Sequence, residues 1–140
     1  GRNQRSALFK TMFLAFRAAG ARDWHSQLAI ALDHSGNQHR LQFHHIFPKA
    51  VLKKSHYPAR EADDIANLAF IGGKTNRAIS DKAPKDYLPP LLKQVGEAPL
   101  SAQAIPLEPD LLEVAHYKAF LQERRKRIAE KLNAFLGAVP

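Results

Sequence analysis

The chain has 140 residues, the length of one ordinary domain: enough sequence for a real core and too little for two. It has no cysteine, which excludes disulfide frameworks and thiolate zinc sites and leaves a cytoplasmic setting as the expectation. Its 21 Lys and Arg against 13 Asp and Glu leave a formal charge of +8, which favours a polyanionic partner but is shared by ribosomal, membrane-surface and simply soluble basic domains.

Leu8, Phe9, Met12, Phe13 and Phe16 fall at helical spacing and are interrupted by Lys10 and Arg17. An amphipathic helix is therefore predicted over about 3–19, not a signal or a membrane span, with Gly20 as its left-handed C-terminal cap. Trp24 reads as a core anchor ahead of a less periodic stretch through Leu28, Ile30 and Leu32, which a polar turn at 35–38 ends. From His39 to Phe43 polar and apolar residues alternate, with Leu41 and Phe43 on one face, as in a short strand that Ile46-Phe47-Pro48 breaks. Val51 and Leu52 make a small apolar patch before a polar loop over 53–64.

A second strand is predicted over Ile65 to Ile71, opening near Asn67 and closed by Gly72-Gly73, with Thr75 placed to cap a brief helix through Ile79. Pro84, Pro89 and Pro90 bracket Tyr87, Leu88, Leu91 and Leu92 in a short helical or turn segment, followed by irregular chain through Pro106. Leu111, Val114, Ala115, Leu121, Ile128, Leu132 and Phe135 then mark one face of a long helix over about 110–136. Arg124, Arg125, Lys126 and Arg127 are expected on its opposite, solvated face.

Seven histidines are many for this length, yet His25, His34 and His116 stand among polar neighbours and need no special role. The His44-His45 pair is different. It lies where a strand gives way to a proline-containing turn, so adjacent rings can diverge to two tasks, one holding a metal and one acting as a general base near neutral pH. Asn67, and Asn76 nine positions later, offer amide oxygens, hard donors suited to a hydrated divalent ion; capping of turns is the plainer role open to both.

The runs His44-His45-Ile46-Phe47-Pro48, Asp64-Ile65-Ala66-Asn67-Leu68 and Lys74-Thr75-Asn76-Arg77-Ala78-Ile79-Ser80-Asp81-Lys82 resemble, in order and spacing, the ββα-metal (His-Me) finger of HNH endonucleases. With Ala21-Arg22-Asp23-Trp24 ahead and the 111–135 helix behind, the chain is similar to the C-terminal nuclease domain of GmrSD-type, modification-dependent restriction proteins. The resemblance implies an α+β, mainly helical domain over 1–140: a two-stranded antiparallel hairpin and short helix at about 39–82, packed among N- and C-terminal helices.

It also implies His45 as general base, Asn67 as the residue that orients it, and His44 and Asn76 as ligands of one divalent ion. Mg²⁺ is the first expectation. Many members carry Asp where His44 stands, so Mn²⁺, Ni²⁺ and Zn²⁺ are also compatible. The expected substrate is double-stranded DNA, nicked one strand at a time in anti-phage restriction, with Arg77, Lys74, Lys49 and Lys82 gripping phosphates. Gly1 opens the chain without a methionine, which suggests a domain excised from a longer protein whose regulatory or NTPase domain or subunit is missing; no membrane is implied. Two other classes stand beside this reading: a nucleic-acid-binding domain without turnover, and a zinc-stabilised fold using His39, His44, His45 or His56. A toxin-type nuclease is a near relative of the first.

Overall fold

The computed structural model describes residues 2–24 and 41–138. The expected strand start at His39, the turn at 35–38, and His25 and His34 lie outside them. Helix α1 runs Arg2–Ala18 and buries Met12, Phe13, Ala15 and Phe16. Gly20 follows at φ 86°, and the amide of Ala21 donates back to the carbonyl of Phe16 at 2.9 Å, so the predicted left-handed cap is present.

Strand β1 (Leu41–His45) pairs antiparallel with β2 (Leu68–Gly72), setting His44 opposite Ala69 and His45 opposite Leu68. The connection is largely helical where a polar loop was expected. Pro48 and Pro58, both at φ −59°, lead into α2 (Lys49–Lys54) and α3 (Ala59–Ala62). Between these helices His56 reverses the chain at a left-handed φ of 66°. The second strand starts three residues later than expected. The Asp64 carboxylate accepts from the amide of Ala66 at 2.9 Å, and this local bond winds Ile65–Asn67 into a 3₁₀ turn that ends on Asn67.

Helix α4 (Gly73–Ile79) follows β2 directly. Thr75 does not cap it, being buried within the helix with its hydroxyl donating to Asp23 Oδ2 at 2.7 Å. The other Asp23 oxygen accepts from the amide of Gly72 at 2.7 Å, so a carboxylate distant in sequence anchors the strand-to-helix junction. A Cβ at position 72 would lie 3.3 Å from that oxygen, which is why glycine suits the close approach.

The proline-rich segment is a full helix, α5 (Pro84–Val95), in which Pro89 and Pro90 lie on the exposed side, where water can satisfy the carbonyls their missing N–H groups leave free. Helix α6 (Ala98–Ala102) occupies the stretch expected to be irregular. Two 3₁₀ turns, Pro109–Leu112 and Val114–His116, replace the start of the long C-terminal helix, and α7 runs Tyr117–Ala138. His116 is exposed, as expected.

The α+β, mainly helical architecture is as expected, but the small sheet is covered on both faces. Phe70 projects into a cluster with Met12, Phe13 and Phe16 of α1, with Phe13 edge-on at 5.4 Å. Ala69 and Ile71 project the other way, into a core built by Trp24, Ile46, Phe47, Leu88, Tyr117 and Phe120. A lone two-stranded sheet is marginal in water, so burial of both faces stabilises it. No described helix is long and apolar enough to cross a membrane.

The basic run of α7 is not a uniformly solvated face. Arg124 is fully buried, with Nη1 donating to the carbonyl of Ala66 at 2.8 Å and Nη2 to that of Gln103 at 3.0 Å. Arg125 pairs with Asp64, and Arg127 with Glu108 and Glu123. Gln103 in turn lies against β2 as a third strand would: its Oε1 accepts from the amide of Phe70 at 2.8 Å and its Nε2 donates to the Phe70 carbonyl at 2.7 Å. Replacing Arg124 by alanine strands two buried carbonyls and leaves a cavity, for an expected loss of about 3 kcal/mol in urea unfolding. Lys126→Ala, on the exposed side, should change stability by less than about 0.5 kcal/mol.

Candidate metal and catalytic site

His44 and His45 close β1, and strand alternation sends their rings to opposite sides. His44 is 3% exposed and lies edge-on between Trp24 and Tyr87, at ring separations of 5.8 and 5.6 Å. Its Nε2 lies 3.1 Å from the hydroxyl of Tyr87, and that hydroxyl donates its one proton to the carbonyl of Ile46 at 2.8 Å. The hydroxyl must therefore accept from Nε2–H. In a neutral ring this leaves Nδ1 as a bare lone pair.

That lone pair faces another. Asn76, on α4, places Oδ1 3.1 Å from His44 Nδ1. A proton on Nδ1 would reconcile them, but burial above all, with His45 nearby, lowers the His44 pKa to about 4 against the raising effect of the Asn76 contact, so the ring is neutral at pH 7. A divalent cation would reconcile them as well. Two donors on neighbouring corners of an octahedron with bonds of about 2.1 Å lie about 3 Å apart, so the observed spacing suits one ion, with the remaining positions open. Rotation of the Asn76 amide is the metal-free way to satisfy the same pair.

His45 is on the outer side, its side chain 28% exposed. Its Nε2 lies 2.8 Å from Asp63 Oδ1, and Lys49 Nζ lies 3.4 Å from the same oxygen. The hydrogen bond with His45, followed by the nearby Lys49, holds the Asp63 carboxyl below its ordinary pKa. Asn67 is fully buried. Its Oδ1 accepts from the amide of Phe47 at 2.8 Å, and its Nδ2 donates to the carbonyls of Phe47 at 3.1 Å and Ala62 at 2.9 Å. So placed, it holds the backbone just beyond His45 and does not reach the surface.

The expected phosphate-gripping residues are dispersed. Arg77 is exposed beside Asn76, and Lys82 is exposed three residues past the end of α4. Lys49 is exposed at the start of α2 but engaged with Asp63. Lys74 lies in the first turn of α4, and its side chain is outside the described set. Among the described residues no group of three or more His, Cys, Asp or Glu could hold a metal; His56 is exposed, and His39 is not described.

Tyr87, Asp63 and Asp23 were missed as parts of the site. Tyr87 reads as one more apolar residue of a proline-bracketed segment, and Asp63 as one of two adjacent loop acids. Only the Asp23-Trp24 dipeptide carried a signal, through the resemblance. No family model, curated protein or solved structure matches the chain.

Two outcomes follow. On the cation reading, calorimetric titration with Mn²⁺ should show His44→Ala and Asn76→Ala each weakening binding at least tenfold, and Tyr87→Phe, which removes the hydroxyl bonded to Nε2 and to the Ile46 carbonyl, by about tenfold. In metal-free buffer, the unfolded chain protonates position 44 below its ordinary pKa of 6.5, while the native ring resists down to about 4. The stability His44 contributes is thus complete above pH 6.5 and lost as pH falls toward 4, by up to about 3 kcal/mol. Urea melts of native and His44→Gln protein across that window should converge as pH falls.

Proposed function

We propose that this chain is a metal-dependent DNA endonuclease or nickase of the HNH type, acting in the cytoplasm as the nuclease module of a restriction system. The observation that carries the reading is the opposed wiring of two adjacent histidines. One is buried and neutral, with its lone pair converging on an amide oxygen; the other is accessible and held by a carboxylate. A cation held by His44 Nδ1 and Asn76 Oδ1 would supply Lewis acidity to a phosphoryl oxygen and to the departing oxygen.

The remaining work falls to the chain. His45, accessible at the end of β1, takes a proton from water. That water attacks phosphorus, the bond to the 3′ oxygen breaks, the departing oxygen takes a proton from solvent, and the products carry a 5′ phosphate and a 3′ hydroxyl. Asn67 fixes the turn from which His45 projects, and Asp23 fixes the helix that carries Asn76 and Arg77. Exposed Arg77 and Lys82, with Lys74 and Lys49, supply phosphate contacts that are independent of sequence. Choice of site and any nucleotide-driven control belong on this reading to a partner domain or subunit.

Plasmid nicking in Mg²⁺ or Mn²⁺ tests the proposal. Native protein should convert supercoiled to open-circular DNA. His45→Ala should reduce the rate at least about 100-fold, and Arg77→Ala should weaken binding more at low salt than at high salt. DNA binding with no cleavage in either metal would instead support the binding-module reading, and cleavage by His45→Ala at the native rate would remove His45 as base.

A further inference from the structure

His45 and Asp63 stand on one clamp. The Asn67 carboxamide bonds Phe47, two residues after His45, and the carbonyl of Ala62, the residue before Asp63. Helix α3 is further pinned where the Tyr117 hydroxyl donates to the carbonyl of Glu61 at 2.6 Å. Both backbones are thus held by buried bonds, which separates the 2.8 Å contact between His45 Nε2 and Asp63 Oδ1 from a casual surface pair. An ionised carboxylate offers only lone pairs, so the nitrogen facing it is an N–H. Among the described residues nothing hydrogen-bonds Nδ1 of His45.

We propose that Asp63 is the positioning residue of His45, fixing the Nε2–H tautomer and the ring orientation so that Nδ1 is the atom that receives the proton from water. The inference rests on the nuclease reading and deepens it. Asp63 touches no reacting atom. It excludes the tautomer in which the lone pair points at the protein, and it stabilises the imidazolium that forms when the proton arrives. Lys49, 3.4 Å from the same carboxylate oxygen, offsets a negative charge that would otherwise repel an incoming phosphodiester, and plays no part in choosing the tautomer.

The test pairs ring-nitrogen NMR of His45 with steady-state nicking for native, Asp63→Ala, Asp63→Asn and Lys49→Ala proteins, with melting temperatures as the check on folding. Native and Lys49→Ala proteins should show a protected Nε2–H and an unprotonated Nδ1. Asp63→Ala should lose the protected proton and at least tenfold in kcat, with KM little changed. Asp63→Asn keeps the shape but can turn its NH₂ toward the ring, so across the native protein and the two Asp63 variants kcat should follow the Nε2–H fraction. An Asp63 variant that keeps kcat while losing that tautomer, or loses kcat while keeping it, overturns the assignment, as does Asp63→Ala keeping both; Lys49→Ala is read by its ring signals alone. If the native chain cleaves no DNA, the nuclease reading fails by itself, and the ring signals still decide the pairing.

Discussion

Past His45 the backbone of β1 leaves its partner strand, and the side chain of Asn67 takes over where the ladder stops. The amide of Ile46 still reaches the Asn67 carbonyl at 2.8 Å, and the carboxamide then exchanges two bonds with the main chain of Phe47. Without this clamp the two histidines would end a free strand terminus. With it the chain just past the histidines stays hydrogen-bonded to its neighbours, which favours a preorganised site. A ring displaced by about 1 Å loses much of the advantage of preorganisation.

The same device recurs around the small sheet. Gln103 completes the edge of β2, Arg124 ties Gln103 and Ala66 to α7, and Asp23 secures the junction between β2 and α4. Each is a buried polar side chain spent on backbone groups that a wider sheet would have satisfied with another strand. Two strands leave many N–H and C=O groups unpaired, and a buried unpaired group costs about 1–3 kcal/mol. A fold with so little sheet therefore needs such substitutes, and they also lock the geometry of the elements that carry His44, His45 and Asn76.

The elements whose signal is local periodicity were legible in the sequence. Helix α1 with its Gly20 cap, the body of α7, and the order strand, strand, short helix all followed from spacing and turn residues. What was misread had been decided by long-range partners. Arg124 sits in a basic run that resembles a solvated face, and only the carbonyls brought by Ala66 and Gln103 make its burial favourable. Thr75 carries the composition of a helix cap, yet its hydroxyl bonds Asp23, 52 positions away, whose other oxygen holds the amide of Gly72 just ahead of the helix. Asn67 was tied to His45 through the resemblance; the structure puts it at the end of a 3₁₀ turn, because Asp64 bonds locally to Ala66. Tyr87 and Asp63 were illegible for the same reason: each acts through one contact with a histidine about 20 or 40 positions away, and no local pattern encodes that.

On the proposed reading, a histidine at position 44 changes the physics of ion binding. A carboxylate there would bring negative charge, so a hard cation could be held before any substrate arrives. His44 and Asn76 are both neutral, and the Asp63 carboxylate is committed to the neighbouring His45. On the proposed reading, the charge that completes the ion's surroundings comes from the phosphodiester. Cation and substrate would then each raise the affinity for the other by the same factor. On the same reading, the donor set would also move preference toward ions that accept imidazole well, Mn²⁺, Ni²⁺ and Zn²⁺, at the expense of Mg²⁺. Tyr87 matters to this balance because a neutral donor contributes only its lone pair, and a tautomer with the proton on Nδ1 would contribute nothing.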